Sequence, residues 1–474
     1  SLDSIPAQRL AGLPRIDPFT PTGAHSASPD AGHELPHCNI CISVKTTAIM
    51  HARRRATTAL QIAAFGEGRQ AQNQEIADAA GVRATREKMV KLKQIAIALA
   101  ASTAFAASAY AADSIKIGLS GPFTGGSASM GVSMRDGVKL AVEEINKAGG
   151  VLGKQIQLIE RDDEAKNELG VQIAQELINK EQVVATVGYI NTGVALASQR
   201  FYQEAEIPVI NNVATGSVIS QQFKPPEHKS NYIFRTSAND TIQSGMIANE
   251  AIKRQGFKKP AILADSTNYG QLGKDDLVKT LAGMSVTPVA TEKFNIGDTD
   301  MTAQVLRAKE AGADVILTYA IGPELAQIAN AMAKLGWKVP LIGSWTLSMA
   351  SYIDTSGANG DGAIMPQTFI QLPTTPKRKA FIEAYQKKYN IDRMPSPVSA
   401  AQGYDSVYLL AAAFKQAGST DGRKVREALE NLNEKIEGVV TIYDKPFSAT
   451  DHEAITANIP VMGLVKGGRV VPAH

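Results

Sequence analysis

The chain has 474 residues, 44% of them hydrophobic and 20% charged, with a formal net charge of +3. That balance fits a water-soluble globular protein of two or three domains, and it excludes the large charge excess that would recruit nucleic acid. The basic surplus is confined to residues 1–111, which hold 12 Lys/Arg against 8 Asp/Glu.

The first notable stretch is "HELPHCNIC" at 33–41, where Cys38 and Cys41, the only cysteines of the chain, lie beside His33 and His37. Taken alone, the spacing suggests zinc or redox chemistry. The next segment changes that reading. "MVKLKQIAIALAASTAFAASAYAAD" opens at Met89 with Lys91 and Lys93, runs apolar from Ile95 to about Ala107, and ends in Ala109-Tyr110-Ala111. A short basic region, an apolar core and an A-x-A site predict a secretory signal peptide over 89–111. Such a signal works at an N-terminus, so Met89 is the expected start. Residues 1–88 are then a non-native upstream extension without a fold, and they lack a sustained hydrophobic period. Residues 112–474 contain no cysteine, so neither a disulfide framework nor a lipid-anchored cysteine is expected of the exported chain. The product is expected to be periplasmic.

From residue 114 strands and helices alternate. "SIKIGLS" is a strand. "MRDGVKLAVEEINKAGG" (134–150) carries Val138, Ala141, Val142 and Ile145 on one helical face and stops at Gly149-Gly150. "KQIQLIERDD" and "VVATVG" are strands, "LGVQIAQELINKE" and "ALASQRFYQEA" are helices, and "IPVINN" is a strand again. The pattern restarts with an extended "NYIFRTSAND" leading into a helix at 241–255. Strands "PAILAD", "TPVATEKFN", "ADVILTYA" and "VPLIGS" then alternate with helices at 271–282, 301–311 and 323–335. Helices near 376–389, 398–416 and 422–432, a strand near 438–443 and a hairpin near 461–471 complete the pattern. Repeated βα units predict an α/β fold with two Rossmann-like lobes, each built on a parallel sheet. Ligand crevices form at the C-terminal ends of such strands, so the site is expected in the cleft between the lobes.

Enzyme signatures are missing from the sequence. There is no G-x-S-x-G elbow and no phosphate-binding G-x-x-x-x-G-K-[ST] loop, and "GANGDG" (357–362) precedes a strand rather than joining a strand to a helix. His228, His452 and His474 are too scattered for a zinc site, and "DDE" (162–164) reads as a solvated loop. Neither a cofactor, a metal nor catalysis is expected.

"IKIGLSGPFTGGSASMGVSMRDGVKLAVEEINKAGGVLGKQIQLIERDDE" resembles the opening of the periplasmic leucine/isoleucine/valine-binding proteins. The resemblance continues through "VVATVGYINTGVALA", "IPVINNVATG", "FRTSANDTIQS", "AILADSTNYGQLG" and "QGYDSVYLLAAAF", and it covers 113–474. It implies a type I periplasmic binding fold, the solute-binding component of an ABC importer. Three crossover segments would lie near Arg235–Ser237, Met365–Gln367 and Tyr443–Ser448. Lobe I would be 112–236 plus 366–443, and lobe II 237–365 plus 444–474. The implied partners are a small solute and a membrane permease, with the protein itself a monomer.

The loop "GYINTG" (188–193) sits between a strand and a helix, so Thr192 and Gly193 offer a helix N-terminus to a carboxylate. By resemblance, Ala214 and Thr215 form the second carboxylate- and ammonium-contacting segment, and Tyr269 closes over the ligand. Ile321 and Met130 stand where relatives often carry aromatics, which would make the pocket wall aliphatic. In the relatives the loop matching "GSWTLSM" (343–349) carries an acid that pairs with the ligand's ammonium. Here Trp345, followed by Thr346, occupies it. Three possibilities follow: another acid substitutes, with Asp265 and Glu324 nearest in the matched loops; the ammonium lies on the Trp345 ring; or the ligand has no amine. The expected solute is a branched-chain or other aliphatic L-amino acid. The alternative is an amine-free 2-keto or aromatic carboxylic acid, and a sensory ligand-binding module is the alternative of another class.

Overall fold

The computed structural model describes residues 114–474. The Cys38/Cys41 stretch, the upstream extension and the signal peptide of the sequence reading lie outside these residues.

Lobe I begins with strand β1 (Ile115–Gly121), helix α1 (Ala128–Lys147), β2 (Ile156–Asp162), α2 (Asn167–Asn179), β3 (Ala185–Gly188), α3 (Thr192–Glu204), β4 (Val209–Asn211) and β5 (Ile233–Arg235). Its five strands lie in the order β2-β1-β3-β4-β5, all parallel. Lobe II adds α4 (Asp240–Ala248), β6 (Pro260–Asp265), α5 (Asn268–Gly283), β7 (Ala290–Phe294), α6 (Thr302–Glu310), β8 (Val315–Tyr319), α7 (Gly322–Lys334), β9 (Leu341–Gly343), α8 (Ala350–Ser356) and β10 (Ile364–Gln367). Strands β6 and β8 are buried along their whole length, as a parallel sheet covered by helices on both faces requires. The chain then returns to lobe I with α9 (Pro376–Tyr389), α10 (Pro397–Ala417) and α11 (Gly422–Glu430). The short strands β11 (Ile436–Glu437) and β12 (Ile442–Tyr443) follow, and the hairpin β13 (Val461–Lys466) and β14 (Arg469–Pro472) ends in lobe II. The lobe II sheet runs β14-β13-β10-β9-β8-β6-β7, antiparallel only at β10–β13–β14. Both lobes belong to one compact unit.

Helices α1 and α10 pack closely enough to require glycine. A Cβ on Gly137 would stand 2.0 Å from the Ala400 carbonyl oxygen, and one on Gly403 would stand 2.6 Å from that of Met134.

Three local expectations change. The helix expected over 241–255 is α-helical only to Ala248 and continues as a wider π-helical turn over Asn249–Arg254. The strand expected near 438–443 is two short strands around a turn, because the buried Asp405 carboxylate accepts the Val439 and Val440 N–H groups at 2.7 and 2.9 Å. The third crossover comes later than Tyr443–Ser448. Arg235 N donates to the His452 carbonyl and Ala454 N donates to the Arg235 carbonyl, both at 2.9 Å. Residues 452–454 therefore still run along the edge of lobe I, and the passage falls between Ala454 and Val461. The cause is Glu453, which is drawn to lobe I by the buried Arg235 guanidinium (Nε to Oε2, 2.8 Å).

Candidate functional site

The loops after β3 and β4 form one wall of the interlobe cleft. Gly188 has φ +138°, and a Cβ there would meet the Ser120 carbonyl oxygen at 2.2 Å, so the turn out of β3 has room only for glycine. The two loops are tied together. The Asn212 side chain accepts the Gly188 N–H at 2.6 Å and donates to Ser406 Oγ at 2.9 Å, while Asn212 N donates to the Gly188 carbonyl. Thr192 Oγ1 accepts the Gly216 N–H at 3.2 Å. Helix α3 starts at Asn191 without a side-chain cap, which leaves its first N–H groups to the cleft or to solvent.

The facing wall comes from lobe II. Tyr269, near the start of α5, donates its hydroxyl to Ser344 Oγ at 2.7 Å and sets its ring edge-on to Tyr319. The backbone of Trp345 is held on both sides. Its N–H donates to Gln243 Oε1 at 3.1 Å, and its carbonyl accepts from Ser348 Oγ at 2.7 Å and Gln367 Nε2 at 3.3 Å. Thr346 Oγ1 donates to the Ala320 carbonyl at 2.6 Å.

Between the walls lie three neighbouring spaces that share lining residues. An open mouth of about 530 Å³ is lined by Lys166, Asn191, Thr192, Gly193, Thr267, Asn268 and Tyr269 among others. Deeper in, Met130, Ile190, Asn191, Val213, Thr215, Tyr269, Ile321, Trp345 and Thr346 surround a cavity of about 10 Å³. Beyond Thr215 and Trp345 a second cavity of about 10 Å³ reaches the hinge, lined by Gln243, Gln367, Thr368 and Gln402 among others. Each inner cavity has room for about one water molecule, so the lobes stand closed.

Of the residues singled out from sequence, the structure gathers Met130, Thr215, Tyr269, Ile321, Trp345 and Thr346 around one inner cavity. Thr192 and Gly193 line the mouth instead. Ala214 lines none of the three spaces. Its N–H donates to the Tyr189 carbonyl and its carbonyl accepts from Ser237 Oγ, both at 2.9 Å, so its backbone is spent on holding the loop. Asp265 and Glu324 also line none of them. Asp265 caps its own loop, accepting the Thr267 N–H at 2.9 Å, and burial pushes its carboxyl up to about 6. Glu324 accepts the Gly297 N–H at 2.7 Å. The "DDE" stretch is not a solvated loop throughout. Asp163 is fully buried and accepts from Ser120 Oγ at 3.0 Å, while Asp162 holds the turn after β1 through the Phe123 N–H at 2.9 Å.

The sequence reading missed Asn191, Gln243, Gln402 and Asp240. The Asp240 carboxyl is wholly buried next to Thr215, whose carbonyl accepts the Asp240 N–H at 2.8 Å, and among the described residues neither of its oxygens makes a hydrogen bond of ordinary geometry, the Thr215 hydroxyl acting on it only weakly. Burial pushes it up to about 7, against the pull of the Thr215 hydroxyl and the Arg235 charge. The only sequence signal for it was its place one residue past the helix-capping Asn239, which is the signature of a structural acid.

Among the described residues no group of His, Cys, Asp and Glu is placed to hold a metal ion, and no helix is long and apolar enough to cross a membrane. In Pseudomonas aeruginosa, a leucine-, isoleucine-, valine-, threonine- and alanine-binding protein is 29% identical over 328 residues, 69% of this chain and 84% of that one. A type 1 periplasmic binding protein from Bordetella pertussis superposes with a TM-score of 0.69 at 30% identity, covering 76% of this chain and 100% of that one. The branched-chain amino acid transporter substrate binding protein LivJ from Streptococcus pneumoniae, solved with isoleucine, superposes with a TM-score of 0.65 at 26% identity, over 76% and 98% of the two chains. The family model described as periplasmic binding protein matches residues 114–469, and with its two βα lobes around a closed cleft the chain belongs to the periplasmic binding protein family.

Proposed function

We propose that the protein is the extracytoplasmic solute-binding component of an ABC importer, exported by the signal at 89–111, and that its solute is a small organic carboxylate without an α-ammonium. One observation carries the choice of solute: neither inner cavity is lined by an Asp, Glu, Lys or Arg side chain, and the charged Lys166 and Glu168 line only the mouth. An ammonium buried there would lack a counter-charge, which is costly. A carboxylate is better served, because the uncapped start of α3 supplies N–H donors and a positive dipole end and the Thr215 hydroxyl lines the cavity. Met130, Ile190, Val213 and Ile321 give the organic part an apolar wall. The solute closes the lobes about the three crossover segments, and the closed form docks on the permease as a monomer. The protein performs reversible binding and no catalysis.

A second reading, an aliphatic L-amino acid, is favoured by the ligands in the names of the Pseudomonas and Streptococcus relatives and by the unpartnered Asp240 carboxyl behind Thr215. A thermal-shift screen separates the two. A ligand at 100 times its Kd adds about 2.7 kcal/mol of stability. We expect 4-methyl-2-oxopentanoate or benzoate to raise the melting temperature and leucine, isoleucine and valine to leave it unchanged. A response confined to the amino acids would establish the second reading instead.

A further inference from the structure

Trp345 and Gln402 reach one small cavity from opposite lobes. Trp345 follows β9 in lobe II, and Gln402 lies on α10, which packs on α1 of lobe I. The cavity they share has room for one small group. Most polar atoms around it are already paired. Gln243 accepts from Trp345 N and donates to the Ala238 carbonyl, Gln367 donates to the Trp345 and Pro366 carbonyls, and Gln402 Nε2 donates to Thr368 Oγ1 at 3.0 Å. Two of the atoms left over are fully enclosed. Trp345 Nε1 and Gln402 Oε1 are both buried, and neither has a hydrogen-bond partner among the described residues.

Leaving a buried donor or acceptor unpaired costs more than a made bond returns. The indole N–H can only donate and the amide oxygen can only accept. The group that suits the space must therefore accept one hydrogen bond and donate another. A carboxylate only accepts, and it would set its charge against the Gln402 oxygen. An ammonium only donates, and it would leave the indole N–H unmet. A methyl group meets neither atom. A hydroxyl meets both, as does a water molecule that takes its place when the solute lacks one.

We propose that this cavity is a specificity subsite for a hydroxyl group of the solute, accepting from Trp345 Nε1 and donating to Gln402 Oε1. The proposal rests on the reading of the cleft as the site of an amine-free acid, and it narrows that acid to a hydroxy-substituted one. Because the donor belongs to lobe II and the acceptor to lobe I, both bonds form only when the lobes are shut. The hydroxyl thus rewards closure itself, and an acid lacking it closes the lobes less firmly.

Calorimetric titration of the full chain with matched acids tests this: benzoate against 3- and 4-hydroxybenzoate, and pentanoate against 5-hydroxypentanoate. A site built to bond a hydroxyl rejects the analogue that lacks it. At least one hydroxylated acid is expected to bind about tenfold tighter than its parent or better. That preference should fall to near unity in Gln402→Met, and independently in Trp345→Phe, which deletes the N–H and keeps an aromatic ring. Equal affinity of parent and hydroxylated acids in the unaltered protein would overturn the subsite while leaving the acid reading standing. Binding of leucine with no acid bound at all would overturn both.

Discussion

Arg235 and Glu453 meet in the hinge as a buried ion pair, Nε to Oε2 at 2.8 Å, and the same guanidinium donates through Nη1 to the Gly216 carbonyl at 2.6 Å. One side chain thus fastens the first crossover, the start of the third and the end of the β4 loop that bears Thr215. Burial works to raise the Glu453 carboxyl, but the Arg235 charge and hydrogen bonds outweigh it and hold it below the ordinary glutamate value. Deleting one partner of such a pair strands the other charge. Glu453→Gln is expected to cost about 3 kcal/mol, read as a shift in the denaturant midpoint at pH 7. Because the folded carboxyl is depressed, the pair's contribution is present above about pH 4.3 and is lost as pH falls through the lowered value. The gap between variant and parent should therefore narrow in acid. An unchanged midpoint would mean that the pair does not hold the hinge.

Asp240 behaves oppositely. Its carboxyl is held up to about 7 by burial, against about 3.9 in an unfolded chain. Between those values the unfolded chain gives up a proton that the folded chain keeps. The group's favourable term is therefore complete at low pH and is lost as pH rises through about 7. Asp240→Asn removes that titration. Its melting temperature is expected to exceed the parent's at pH 8, with a smaller difference at pH 5. A difference independent of pH would show that Asp240 has found a partner in solution.

The loops after β3 and β4 depend on Asn212, which bonds Gly188 on one side and Ser406 on the other. Asn212→Ala leaves the buried Gly188 N–H unmet, at a cost of about 1–3 kcal/mol. It also frees the β3 loop from the β4 loop. Solute affinity is expected to fall more steeply than stability, because Asn191 and Thr215 lose their shared register. Calorimetric Kd and unfolding free energy measured side by side check this, and an affinity equal to the parent's would count against the coupling.

The period of the apolar residues made both parallel sheets readable from the sequence, since βα repetition leaves few topologies. The loops at the strand ends were readable as well. Six of the nine residues chosen there surround one cavity because a parallel sheet delivers its strand ends to one edge. Residues that reach the site from elsewhere left no such trace. Gln402 comes from the middle of a long helix, and Gln243 from a helix of lobe II that follows the first crossover. Ala214 shows the converse failure. It stands in the right loop, but its N–H and carbonyl are consumed by Tyr189 and Ser237, which loop position alone does not reveal. The delayed third crossover escaped for a similar reason: only the long-range partnership of Glu453 with Arg235 keeps that stretch on lobe I.

The proposed choice of solute is tested at Trp345. Its backbone is fixed by Gln243, Ser348 and Gln367, so a replacement side chain would start from the same place. By the resemblance of the sequence, its indole stands where the leucine/isoleucine/valine-binding proteins would carry an acid. Trp345→Glu restores a carboxylate to a cavity without one. With no solute, that carboxylate is buried and unpaired, and the variant is expected to melt below the parent. With leucine it gains a counter-charge. Leucine should therefore raise the variant's melting temperature, while affinity for amine-free acids should fall at least about tenfold, since a carboxylate then faces a carboxylate at short range. The two shifts are measured in one titration series of parent and variant. Loss of acid binding without any gain for leucine would mean that Trp345 shapes the pocket but does not set its charge preference.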